Sequence, residues 1–575
     1  MKVLFTIPAR ESTDRPGLHL ALVGGVPLVG RAARLGRLAA RTLGHGCRVV
    51  CATDSSAIGE AAAFWGADVL LVDAATLAAG GGETLDAVFQ ALGAPGDYRA
   101  VVLLNPANPL TDVDDVLGAL GMHRDSGCPV VSVSPVEHAA AREYQADDTG
   151  PLSRLLPIDK PLTWRHDRIS FRENGALYLS TPAALRERGP FFGPGARAFV
   201  IPVARSLQVN TAGDLQAARG VVAHHPVLPV AIDHRMVGPG SPCFVIAEAG
   251  VNHNGDLALA EALVDAAADA GADAVKFQTF RAERVVTREA PKAEYQVRTT
   301  GAHETQFDML KRLELGQDAH RALVDRCRAL GLIFLSTPFD EESCDFLDAL
   351  GVPAFKVPSG EVTNLPFIRH VARKQKPIIL STGMACLREV ADAVEAVWDE
   401  GNRSLVLLHC VSNYPTDPED ANLRAIATLR EAFGVPAGFS DHTVGVHVAL
   451  AAVALGACLI EKHVTLDRTL PGPDHYASIE PDELRELVRR MREVEASLGS
   501  GTKEPVAREA AVARVTRRSL VAARPIPAGT VVERTMVVMR RPGTGLTPDQ
   551  LPLVVGRTAL VDIPEGALLA HEMLG

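Results

Sequence analysis

Eight short apolar runs, at residues 244–250, 274–280, 333–339, 354–360, 377–384, 405–411, 437–443 and 458–464, constrain this chain more than any other feature. Most are separated by a helix-length amphipathic stretch, and eight strand–helix units in succession are the pattern of a (β/α)8 TIM barrel. The polar residues do not scatter along the runs. They collect at the last positions, where the βα-loops of such a barrel build an active site. The first four run ends supply Glu248 with Asn252 and His253, then Lys276, Gln278 and Thr279, then Ser336 and Thr337, then Lys356, Ser359 and Glu361. The last four supply Ser381 and Thr382, then His409, Ser412, Asn413 and Tyr414, then His442 beside Asp441, then His463 beside Glu461.

A chain of 575 residues is too long for one core, and about three domains are expected. Residues 1–222 read as an α/β domain, because apolar strands such as 3–7, 48–52, 100–104, 129–133 and 176–179 alternate with alanine-rich helical stretches at 28–42 and 55–65. Pro, Gly and His break the pattern at 223–240, which reads as a linker. The barrel occupies 241–505, and 506–575 reads as a small β-rich domain with short runs at 519–523 and 560–561.

Net charge is −11, which disfavours nucleic-acid binding, so an anionic substrate needs a local basic pocket. The sequence contains neither a membrane-length apolar run nor a leader pattern, and a cytoplasmic enzyme is expected. Nine cysteines without CxxC spacing argue against a disulfide framework and a thiolate zinc site, leaving mostly buried thiols.

Lys276 and Lys356, with Thr337, Ser381 and Ser440, would give ammonium and hydroxyl donors to a phosphate or carboxylate. The bland alternative is strand-end lysines reaching solvent. His442 and His463 sit at equivalent heights on adjacent strands beside carboxylates able to orient them, which points to a divalent metal. Imidazole with oxygen ligands suits Mn²⁺, and Mg²⁺, Co²⁺ or Zn²⁺ would also fit. The alternative is a pair of hydrogen-bonded core histidines.

The strings Ile246-Ala247-Glu248-Ala249-Gly250-Val251-Asn252-His253-Asn254-Gly255, Val275-Lys276-Phe277-Gln278-Thr279, Leu335-Ser336-Thr337-Pro338-Phe339 and Lys356-Val357-Pro358-Ser359-Gly360-Glu361 carry a family resemblance. So do Leu380-Ser381-Thr382-Gly383-Met384, His409-Cys410-Val411-Ser412-Asn413-Tyr414-Pro415-Thr416 and Gly438-Phe439-Ser440-Asp441-His442-Thr443. From about residue 240 to 575 the chain resembles the N-acetylneuraminate (sialic acid) and legionaminate synthases, and its tail resembles their antifreeze-like (SAF) domain.

That resemblance implies condensation of phosphoenolpyruvate with an open-chain N-acyl-mannosamine-type aldose. It assigns Lys276, Thr337, Lys356, Ser381, Ser412 and Ser440 to phosphoenolpyruvate, and His442 and His463 to a metal that polarises the sugar aldehyde. Glu248 would handle a water or hydroxyl proton, with Glu461 beside it in the catalytic group, and Gln278, Glu361, Tyr414, Asp474 and Arg541 would grip the sugar. Arg541 lies in Arg540-Arg541-Pro542-Gly543-Thr544-Gly545 and would act on the partner subunit of a domain-swapped homodimer. Synthases of seven- and eight-carbon sugar acids are the rival reading, and the C-terminal β domain argues against them.

Thr6-Ile7-Pro8-Ala9-Arg10, Ala52-Thr53-Asp54, Leu103-Leu104-Asn105-Pro106, Glu173-Asn174-Gly175-Ala176-Leu177-Tyr178 and Leu207-Gln208-Val209-Asn210-Thr211 follow the motif order of CMP-sialic acid synthetases. That family is a Rossmann-like cytidylyltransferase using CTP. Arg10, Asp54, Asn174 and Asp214 survive as nucleotide candidates. However, the phosphate loop here reads Arg10-Glu11-Ser12-Thr13-Asp14-Arg15-Pro16-Gly17-Leu18-His19, without the family's two lysines, and Asn210-Thr211-Ala212-Gly213-Asp214 keeps one metal-binding acid of two. Neutralising charge dominates phosphoryl transfer, so a domain impaired in CMP transfer and kept for binding is expected. The alternative is a bifunctional synthase and cytidylyltransferase.

Overall fold

Strands buried on both faces need near-continuous apolar sequence, and the first third of the chain supplies it. The computed structural model describes residues 1–11, 15–78, 87–88, 90–91, 97–135, 144–145, 153–154, 171–184 and 195–575. Its first sheet has strands Val3–Ala9 (β1), Arg48–Thr53 (β2), Asp68–Leu71 (β3), Ala100–Leu104 (β4), Val130–Pro135 (β5), Phe171–Ser180 (β6) and Arg197–Val200 (β7). Their order is β7-β5-β6-β4-β1-β2-β3, with β6 antiparallel to both neighbours and every other pair parallel. Strands β3 and β7 go beyond the sequence expectation: both are sheet edges with little burial, where the apolar signal fades.

Helix α1 (Leu28–Leu43) buries Leu28, Val29, Ala32, Ala33 and Ala39 and packs on β1 and β2. Its other face presents Arg34, Arg37 and Arg41 to a barrel helix, α2 (Leu387–Asp399), where all three reach the Glu395 carboxylate. Consistent with that contact, residues 1–496 form one compact unit.

The stretch read as a linker holds a hairpin, Val230–Ile232 (β8) and Arg235–Val237 (β9). Val230, Ile232 and Val237 join one apolar cluster with Phe244, Ile246, Ala274, Ile333, Leu335, Ile379, Val406, Leu408 and Leu459. These are the lower inward positions of the barrel, so the hairpin covers its N-terminal end. Three-residue strands joined by a two-residue turn are too short for periodicity to reveal them.

The barrel strands are Phe244–Gly250 (β10), Ala274–Thr279 (β11), Ile333–Pro338 (β12), Phe355–Val357 (β13), Ile378–Ser381 (β14), Leu405–Cys410 (β15), Ala437–Asp441 (β16) and Leu459–His463 (β17). All pairings are parallel, in the order β12-β11-β10-β17-β16-β15-β14-β13, and only β12 and β13 touch without a ladder, so the barrel is nearly closed. Period-2 alternation places the site. Phe244, Ile246 and then Glu248 point inward, as do Ala274 and Lys276, Leu335 and Thr337, Ile379 and Ser381, and Leu459, Glu461 and His463. The inward column is apolar at the bottom and polar at the top. Intervening residues such as Val245, Phe277, Leu380, Phe439 and Ile460 face the surrounding helices and join the large core.

Residues 497–575 form a second compact unit. Strands Ser519–Ala522 (β18) and Val537–Arg540 (β19) pair antiparallel over a core of Leu520, Ile526, Val532, Val537, Leu546, Ile563 and Leu569. The run expected at 560–561 is no strand. Leu560 and Val561 are exposed, and the Leu560 amide bonds singly to the Met573 carbonyl. Among the described residues no helix is long and apolar enough to cross a membrane. All nine cysteines are free, and Cys51, Cys243, Cys327, Cys344 and Cys410 are buried.

Candidate active site

Four buried charges meet at the C-terminal mouth of the barrel. Lys276 Nζ lies 2.6 Å from Glu248 Oε2 and 3.7 Å from Glu461 Oε2, and Lys356 Nζ lies 3.3 Å from Glu461 Oε1. Lys276 also donates to Thr337 Oγ1 (3.1 Å), Ser440 Oγ donates to Glu461 Oε1 (2.9 Å), and Gln278 Nε2 donates to Glu248 Oε1 (3.3 Å). The lysines do not reach solvent; each is 2–3% exposed.

Burial raises the Glu248 carboxyl, and Glu461 pushes it further against the pull of Lys276. Burial also acts on Glu461, but Lys276, Lys356 and Ser440 overcome it and hold that carboxyl low. Burial lowers the Lys356 ammonium, whereas Glu248 and Glu461 outweigh burial at Lys276 and raise it. One carboxylate is thus firmly ionised and the other inclined to keep a proton, beside two ammonium groups. Such a set favours an anion, which would relieve the strain on Lys356.

His442 Nδ1 donates to the Val411 carbonyl at 2.7 Å, which turns Nε2 toward Ser440 Oγ at 3.3 Å. The His442 and His463 rings lie 5.4 Å apart between centroids, and Tyr414 covers both at 4.2 and 5.7 Å. Burial lowers His442 to about 4 and holds His463 well below the usual imidazole range, so both imidazoles are neutral at pH 7. His463 Nδ1 is buried without a hydrogen-bond partner.

Neutral imidazoles, one of them with an unpartnered nitrogen at His463, fit a divalent cation. No group of three His, Cys, Asp or Glu side chains among the described residues encloses one, so the histidine pair would leave most positions to substrate and water. One expectation is corrected. Asp441 bonds to neither imidazole ring, because its carboxylate faces outward to Lys462 and Thr443.

Ser381 Oγ is buried and unpartnered at the end of β14. Ser412 is half-buried beside Gly383, where an added Cβ would come within 2.3 Å of its hydroxyl. Glu361 follows β13 in a short 3-10 turn and accepts from Asn364 Nδ2. Asp474 is buried in the loop after β17, near Tyr295, whose ring lies tilted against that of Tyr414 at 5.0 Å. Sequence reasoning missed Tyr295, since its helix, Glu294–Thr300, interrupts the β/α alternation. Arg541 is exposed in the second compact unit.

Of the nucleotide candidates, Arg10 and Asp54 follow the paired ends of β1 and β2. Asn174 is buried and spent on structure, accepting from Ser132 Oγ (2.6 Å) and the Ala176 amide (3.1 Å) and donating to Ser206 Oγ (2.9 Å). Asp214 closes a capping box on Thr211. Asp54 accepts from the Glu11 amide (2.7 Å), and Arg10 is exposed. Ser12, Thr13 and Asp14 of the expected phosphate loop lie outside the described residues.

A family model described as the NeuB family matches residues 263–503, and one described as the SAF domain matches 517–575. The N,N'-diacetyllegionaminic acid synthase of Legionella pneumophila is 47% identical over 339 residues, which is 58% of this chain and 95% of that protein. The chain belongs to the NeuB family. Other similar NeuB-type proteins are the N,N'-diacetyllegionaminic acid synthase of Campylobacter jejuni, 44% identical over 56% of this chain and 98% of its own, and the human N-acetylneuraminate-9-phosphate synthase, 37% identical over 59% and 95%. The charged quartet and the histidine pair thus lie at the mouth of a NeuB-type barrel, with Lys276, Thr337, Lys356, Ser381, Ser440, Glu461, His442 and His463 all inside the matched span.

Proposed function

We propose that the barrel condenses phosphoenolpyruvate with an open-chain N-acyl-mannosamine-type aldose, giving a sialic (nonulosonic) acid and phosphate. The observation that carries this reading is the buried quartet Glu248–Lys276–Glu461–Lys356, whose two ammonium groups stand with the Thr337 and Ser381 hydroxyls as donors suited to a small polyanion. Lys276, Lys356, Thr337, Ser381, Ser412 and Ser440 hold phosphoenolpyruvate, and Gln278, Glu361, Tyr414 and Asp474 hold the sugar. His442 and His463 would bind a divalent cation, Mn²⁺ by preference with Mg²⁺ or Co²⁺ as substitutes, which supplies Lewis acidity to the aldehyde carbonyl.

The C3 carbon of phosphoenolpyruvate then bonds to the aldehyde carbon, leaving C2 electron-deficient. Glu248, whose carboxyl burial raises, gives its proton to the aldehyde oxygen as the carbon–carbon bond forms and takes one back from the water that adds at C2, and the C2–O bond breaks to release phosphate. Glu461 stays ionised and steadies both lysines throughout. Arg541 enters from a partner subunit in a domain-swapped homodimer. For the N-terminal domain we favour impaired CMP transfer, supported by the structural employment of Asn174 and Asp214 and the lysine-free loop; CTP turnover by residues 1–222 is the alternative. The synthase reading is tested by phosphate release. Release must require both phosphoenolpyruvate and an N-acylhexosamine, and release independent of the sugar would refute it.

A further inference from the structure

Behind the two histidines, on the outer side of the barrel wall, lies a charge pair that the proposed chemistry does not use. The Lys462 and Asp441 side chains are both 0% exposed, with Lys462 Nζ 2.8 Å from Asp441 Oδ2. The same ammonium donates to the Thr443 carbonyl at 2.5 Å, while Asp441 Oδ1 accepts from the Thr443 amide (2.9 Å) and hydroxyl (2.8 Å). Asp441 and Thr443 flank His442 on one strand end, and Lys462 precedes His463 on the next. Adjacent strand residues point to opposite faces. One ammonium therefore grips both backbone neighbours of His442 from the position beside His463.

A buried lysine is costly, and helix-facing positions on the other barrel strands are mostly Val, Leu, Ile, Phe or Ala, with Thr279, Ser336 and His409 as the polar exceptions. An apolar residue would pack as well here. What it would not supply is a link across β16 and β17 at the height of the histidines. Alternatives on the same strands are already engaged: Ser440 and Glu461 bond to one another inside the barrel.

We propose that Lys462, through Asp441 and the Thr443 carbonyl, is the positioning residue that sets the separation and tilt of His442 and His463, and so the divalent-cation affinity of the site. This rests on the metal role assigned above. Ligand-orienting partners of this kind typically change metal affinity by roughly 10–100-fold when removed.

The test uses the full-length double variant Lys462→Met with Asp441→Asn, which removes both charges while Asn can still accept from Thr443. Mn²⁺ binding is followed by calorimetry, alongside thermal unfolding and metal-free phosphoenolpyruvate binding. The expected result is a folded protein with at least a tenfold loss of Mn²⁺ affinity and phosphoenolpyruvate binding within twofold of the parent. Lys462→Met alone, which strands the Asp441 carboxylate, should lose at least as much Mn²⁺ affinity. A folded double variant with parental Mn²⁺ affinity overturns the proposal, as does equal loss of both ligands, which would mark a general collapse of the mouth. No Mn²⁺ binding by the parent would overturn the metal role together with this inference.

Discussion

At the scale of single residues, burial rather than chain position separates the groups that chemistry can use. Asp474 is the clearest case, because burial alone lifts its carboxyl from 3.8 to about 6. A carboxyl that binds its proton more tightly when folded stabilises the fold below its unfolded value. That contribution is lost as pH rises from about 3.8 to about 6, and the ionised group then costs roughly 3 kcal/mol at neutral pH. Asp474→Asn should therefore resist denaturant better than the parent at pH 7, with the advantage shrinking toward pH 4, while the KM for the sugar rises. Urea titrations at the two pH values check the first part, and equal gains at both would contradict it.

At the scale of elements, alternation along the strands was legible and did most to locate the site. The inward column of most runs turns polar at its C-terminal end, where Glu248, Lys276, Thr337, Lys356, Ser440 and Glu461 meet, whereas His409 on β15 faces outward and bonds to the Ala421 carbonyl. The same period held a signal that was passed over. Asp441 alternates with His442 and must face outward to Lys462, although in sequence it reads as a carboxylate able to orient the ring.

Close approach between elements was not legible. Gly383 sits where an added Cβ would meet Ser412 Oγ at 2.3 Å, Ser359 Oγ at 2.9 Å and Cys410 Sγ at 3.0 Å. Gly383→Ala should cost about 1–3 kcal/mol from overpacking and raise the KM for phosphoenolpyruvate through displaced Ser412. An unchanged KM with lowered stability would free Ser412 from its proposed role.

At the scale of the whole molecule, the chain is organised by contacts that no local pattern carries. Glu395 reads as a surface residue of an amphipathic helix, yet it is 1% exposed because Arg34, Arg37 and Arg41 close over it from more than 350 positions away in sequence. Arg34 also lies over the Phe433 ring, so the N-terminal domain is docked on the barrel rather than strung from it. Glu395→Ala would leave three guanidinium groups without their shared counter-charge and should cost roughly 3–5 kcal/mol. Arg41→Ala, at a half-exposed position, should cost at most about 1 kcal/mol. Equal effects of the two in denaturant unfolding would mean that the cluster is not the anchor.

The synthase reading also fixes which bond of phosphoenolpyruvate breaks. With Mn²⁺, an N-acyl-mannosamine-type sugar and phosphoenolpyruvate carrying heavy oxygen at the C2–O–P bridge, the released phosphate should keep the label, and its amount should equal that of the sugar acid formed. Unlabelled phosphate, or phosphate without a new carbon–carbon bond, would mean attack at phosphorus and would contradict the proposed condensation.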